Sequence, residues 1–179
     1  DPAAGAARRA RLAADVPAAV LVARGYREVI SYSFIAPELQ AMFEPEQVSV
    51  SVRNPISADM SAMRASLIPS LVSTLQYNLN RQQDRARFFE SGLRFRLEGG
   101  RLEQQPVLAG LLYGNRQPES WHGGSADKID FYDLKGDVQA LLARTGRASD
   151  FSFAPAQHPA LHPGQTAAIV AAGRQVGLI

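Results

Sequence analysis

His158 and His162 stand four residues apart, the spacing of two metal ligands on one helical face. Pro159, Pro163 and Gly164 argue against a helix there, and no third ligand lies nearby, so a loop packed on a sheet is the expectation. Asp127, Asp130, Asp133 and Asp137 recur around a helix start. Acidic side chains at a helix N-terminus are stabilised by its dipole, which is reason enough for such a series without a metal or an acid–base pair. Arg81, Arg85 and Arg87 are a short cationic run that suits phosphate, a partner carboxylate or water. Trp121 in a polar loop either anchors a contact or caps the core edge. Neither a Gly-rich phosphate loop ending in Lys-Ser/Thr nor a Gly-x-Ser-x-Gly nucleophile elbow is present.

Composition narrows the class. A chain of 179 residues with 46% hydrophobic and 20% charged side chains can bury a core. The balance of 19 basic and 17 acidic residues, net +2, argues against a surface that coats polynucleotides. The absence of cysteine excludes disulfides and thiolate metal sites and suits a reducing cytoplasm. No apolar run approaches the roughly 20 residues that span a bilayer. The start, Asp1-Pro-Ala-Ala-Gly, lacks the order of a signal peptide. It also lacks a Met, and the last residues stop inside a strand-like pattern, so an excised domain of a longer chain is expected.

Periodicity places the elements. Arg8 to Arg24 reads as a leading helix closed by Gly25, with Pro17 marking either a kink or a start capped by Asp15 or Val16. Glu28 to Phe34 and Val48 to Val52 read as strands, with a short helix at Pro37 to Phe43 between them. Leu67, Ile68, Leu71, Val72, Leu75 and Leu79 recur at spacings of three and four, one apolar helix face, with Ser66 as N-cap and Pro69 in the first turn. That face packs on a core and could also meet a partner. Arg87 to Ser91 and Leu93 to Leu97 read as strands about a bulge at Gly92, Gly99-Gly100 as a hairpin turn, and Val107 to Tyr113 as a central strand. A polar loop from Asn115 to Lys128 leads to a helix from Asp130 to Arg144, capped by Asp130 and burying Leu134, Val138, Leu141 and Leu142. Phe151 to Ala154, Thr166 to Ala171 and Gln175 to Ile179 read as short strands, the last two joined by Ala172-Gly173. Grouped strands after one long helix predict an α+β fold with a mostly antiparallel sheet, and exclude a doubly wound nucleotide fold. The expectation is a single domain over 1–179, with a leading helix at 1–24 and a sheet with flanking helices at 25–179.

Five blocks carry a likeness: Gly25-Tyr-Arg-Glu-Val-Ile-Ser-Tyr-Ser-Phe34, the run from Asn54-Pro55 to Asn80, Phe88-Phe-Glu-Ser-Gly-Leu-Arg-Phe95, Asp130-Phe-Tyr-Asp-Leu-Lys-Gly-Asp137 and His158-Pro-Ala-Leu-His-Pro-Gly-Gln165. Together, in this order, they resemble the synthetase-like core module of the β subunit of bacterial phenylalanine–tRNA ligases. The resemblance implies the class II aminoacyl-tRNA synthetase-like fold. It also implies that Phe95-Arg96-Leu97-Glu98 stands where active members carry an arginine on the ATP α-phosphate, a task for which paired guanidinium N–H donors are suited. The third, Gly-rich and Arg-bearing motif is missing, and the module is implied to be catalytically silent. Arg96 is then a solvated strand charge and Glu90 an internal hydrogen-bond partner. No cofactor is expected in this fragment; ATP and magnesium belong to the complete α2β2 enzyme, which joins phenylalanine to its tRNA. The implied partner is the α subunit, met through Leu67, Leu71, Leu75, Asn78, Leu79 and Arg81. The alternatives are a residual nucleotide-binding module using Arg96 and Glu98, or an RNA contact through Arg81, Arg85 and Arg87.

Overall fold

A computed structural model describes residues 17–118, 121 and 127–179. In chain order the elements are α1 (residues 17–23), β1 (Arg27–Glu28), β2 (Phe34–Ile35), α2 (Pro37–Phe43), β3 (Val50–Ser51), β4 (Ala62–Met63), α3 (Ile68–Leu79), β5 (Ala86–Glu98), β6 (Arg101–Tyr113), α4 (Phe131–Ala143), β7 (Phe151–Pro155), β8 (Ala167–Ala171) and β9 (Arg174–Leu178). The ladders β2–β4, β3–β4, β5–β6, β7–β8 and β8–β9 are antiparallel, and the class is α+β as expected. The chain divides into two compact units: Glu28–Tyr113 with Pro159–Leu161, and Asp1–Arg27, Gly114–His158 with His162–Ile179.

The unit at Glu28–Tyr113 is organised by the β5–β6 hairpin. Both strands are 13 residues long and pair without a break from Ala86↔Tyr113 to Glu98↔Arg101. Gly99 and Gly100 turn the chain with φ of 57° and 78°, the left-handed pair that a two-residue hairpin requires. The bulge expected at Gly92 is absent: Gly92 pairs in register with Val107. Its lack of a side chain serves another purpose, since a Cβ there would lie 2.5 Å from Nη2 of Arg64. The strand expected to be central, Val107 to Tyr113, is part of β6, which ends the sheet order β1-β5-β6. One face of that apolar run is covered: Ala109 and Leu111 pack with Leu71, Ala86 and Phe88, together with Val29, Ile68 and Leu75.

Helix α3 supplies the other half of that core. Leu67 and Leu71 are 1% and 0% exposed. Leu67, not Ser66, takes the cap position in right-handed conformation, and Leu71 N–H closes the first turn on its carbonyl. Ser66 Oγ still accepts from Ile68 N–H at 3.3 Å, so the expected cap is displaced by one residue. At the far end Gln83 N–H reaches back to Asn78 across Gln82, whose φ is 63°. That left-handed position favours glycine and is filled by a residue with a Cβ.

The expected strand from Glu28 to Phe34 is broken into β1 and β2: past a last backbone bond at Val29, the chain at Ser31 and Tyr32 is held by the Glu90 and Arg64 side chains. Val29 N–H donates to Phe89 C=O at 2.8 Å. Ser31 donates through N–H and Oγ to the two oxygens of Glu90, at 3.3 and 2.7 Å. Arg64 donates from Nη1 to Glu90 at 2.8 Å and to Ser31 Oγ at 2.8 Å, and from Nε to Leu93 C=O at 3.0 Å. Both members of the Arg64–Glu90 ion pair have side chains 3% exposed. Gln40 in α2 is also buried, accepting from Ala65 N–H and donating to Ser49 Oγ. Only Val50 and Ser51 of the expected Val48–Val52 strand pair with β4, and Val48 is exposed.

In the other unit, α1 is described only from residue 17; the expected start at Arg8 and the caps Asp15 and Val16 lie outside the described residues. Gly25, with φ of 83°, ends it. Asp130 caps α4 as expected, accepting from Tyr132 and Asp133 N–H at 2.8 and 3.0 Å while Asp133 accepts from Asp130 N–H at 2.9 Å. The residue that α4 buries most is not one of the four expected apolar side chains but Asp137, which accepts from Tyr26 Oη at 2.7 Å and from Arg24 Nε. Strands β7, β8 and β9 form an antiparallel sheet, with Ala172-Gly173 as the turn at φ of 50° and 73°. Of the expected loop at Asn115 to Lys128, residues 119–120 and 122–126 lie outside the described residues. Asn115 and Lys128 bridge its ends.

Two stability measurements follow. Glu90→Gln leaves the buried Arg64 charge uncompensated and is expected to lower the unfolding free energy by about 3–5 kcal/mol in urea titration. A loss below about 1 kcal/mol would place the pair among surface ion pairs. Gln82→Gly is expected to raise stability by about 0.5–1 kcal/mol through relief of the left-handed strain, and an unchanged midpoint would deny that strain.

Candidate partner and nucleotide surfaces

Arg96 lies on the β5 face that carries Glu90, Gly92 and Arg94. It is not the solvated charge expected. Its Nη2 donates to both oxygens of Glu44 at 3.2 Å, and Nε donates to Ala65 C=O at 3.3 Å. The Arg96 and Glu44 side chains are 23% and 17% exposed. Glu44 sits at the C-cap of α2, 52 residues before Arg96, and nothing local in the sequence signals the pairing. Glu98, the other nucleotide candidate, is exposed at the hairpin end opposite Arg101. Arg94 donates to Gln105 Oε1 across the hairpin. Partial burial, then the neighbouring Arg96, lowers the pKa of Arg94 without removing its charge at neutral pH.

The partner candidates on α3 separate by depth. Leu67 and Leu71 are fully inside the unit's own core, and Leu75 packs on that cluster. Asn78 is half-buried and donates from Nδ2 to Thr74 C=O at 2.8 Å. Leu79 is half-buried, and Arg81 is exposed. The Arg81 guanidinium lies 3.4 Å from the ring centroid of Tyr77 and donates to Tyr77 C=O at 3.0 Å. Tyr77 is 58% exposed, a feature missed because an aromatic residue off the leucine stripe has no periodic signature. Arg85 is lowered from the usual guanidinium pKa by burial, then by Arg87.

The remaining candidates do local work. His162 lies in a turn, not a helix, where Nδ1 accepts from Gly164 N–H at 3.1 Å and the carbonyl accepts from Thr166 Oγ1 at 2.7 Å. The acidic series serves α4: Asp130 and Asp133 form its cap and both bond Arg116. The hydrogen bond to Asp133, followed by that carboxylate's charge, raises the Arg116 pKa. Trp121 is 90% exposed. Among the described residues no three His, Asp or Glu side chains are grouped as metal ligands.

Comparison with known proteins gives these residues a frame. The family model for the phenylalanyl tRNA synthetase beta chain CLM domain matches residues 2–179. The chain is 57% identical over 160 residues to the phenylalanine–tRNA ligase beta subunit of Pseudomonas putida, covering 89% of this chain and 20% of that protein. It is 49% identical over 175 residues to the corresponding subunit of Yersinia pestis, covering 96% and 22%. It thus spans about a fifth of the length of these curated relatives. A pyrrolysyl tRNA synthetase from Desulfitobacterium hafniense superposes with a TM-score of 0.63 at 21% identity, over 91% of this chain and 53% of that one. A likeness at that identity speaks for the fold, which is class II synthetase-like. With a matching family model over nearly its whole length and relatives above half identity, the chain belongs to the phenylalanyl tRNA synthetase beta chain CLM domain family.

Proposed function

We propose that the chain is a non-catalytic, synthetase-like module of the β subunit of phenylalanine–tRNA ligase, and that it scaffolds the catalytic α subunit. The complete α2β2 enzyme attaches phenylalanine to its tRNA in the cytoplasm with ATP and magnesium, and residues 1–179 act in it as one module. Among the described residues no helix is long and apolar enough to cross a membrane.

The observation that carries the non-catalytic reading is the engagement of Arg96. Its guanidinium is already bonded to the Glu44 carboxylate and the Ala65 carbonyl. A phosphate entering there meets a carboxylate, and two unit negative charges about 4 Å apart near a surface repel by about 4 kcal/mol. The exposure of Glu98 supports the same reading, since it is held at a hairpin end. The α-facing surface is taken to be the C-terminal end of α3, where Arg81 stacks on the exposed Tyr77 and the half-buried Leu79 ends the leucine stripe. Leu67, Leu71 and Leu75 anchor the helix in the unit's own core, and Asn78 bonds Thr74 within it.

Light scattering after size exclusion, with the chain mixed with the matching α subunit, tests the reading. A mixed complex is expected, and Tyr77→Ala with Arg81→Glu is expected to weaken it by at least about tenfold while the fold is retained. A mixed complex indifferent to both substitutions would remove α3 from the interface. Absence of any complex at micromolar concentration would contradict scaffolding by this module alone.

A further inference from the structure

We draw no further inference here: the strongest candidate, the apolar surface patch of Ile30 and Tyr32 on the segment between β1 and β2 that Glu90 and Arg64 hold, carries nothing because nothing in the structure shows what covers it.

Discussion

The buried ion pair of Arg64 and Glu90 is the constraint on which the unit around β5 and β6 depends. Two charges withdrawn from water are tolerable only when every donor and acceptor is occupied. Here Glu90 receives Arg64 and Ser31, while Arg64 also bonds the Leu93 carbonyl. Those bonds tie residues 31, 64, 90 and 93 into one cluster, and their geometry dictates two further features. Residue 92 must be glycine because the guanidinium occupies the space of its side chain. The chain between β1 and β2 must leave regular strand geometry so that Ser31 can reach the carboxylate. A hydrophobic pair of similar volume could match the stability but would not fix that alignment, because apolar contact has no direction.

The sequence was most legible where one local rule governs. Helices α2, α3 and α4 lie within two residues of their expected ends, because apolar spacing and proline or aspartate near the first turn act within the segment. The Gly99-Gly100 and Ala172-Gly173 turns were legible for the same reason. Legibility failed where a distant side chain replaced a ladder bond. Ser31 looks like a strand residue, and only the Glu90 carboxylate, about 60 residues later, makes it otherwise. Gly92 read as a bulge because the arginine that explains it lies 28 positions earlier. Asp137 read as a member of an acidic series, and its partners Tyr26 and Arg24 are more than 100 residues away.

The candidate site shows the same division. The arginine at 96 was visible, but the carboxylate that occupies it was not. Glu44 ends a helix and resembles any solvated acid in sequence. The chemistry of a guanidinium is decided by what reaches it first, and here an internal carboxylate and a carbonyl do so. Arg96 thereby acts as a brace between the end of α2 and β5. The helix stripe divides similarly: its inner leucines serve the core, and only its outer residues remain for another chain.

Titration calorimetry with ATP and magnesium on the chain alone tests most directly whether Arg96 is committed to the fold. No saturable heat is expected, and Glu44→Gln, which removes the competing charge, should alter thermal stability more than it alters nucleotide binding. Saturable binding that Arg96→Ala abolishes would contradict the account and make the module a nucleotide-binding one.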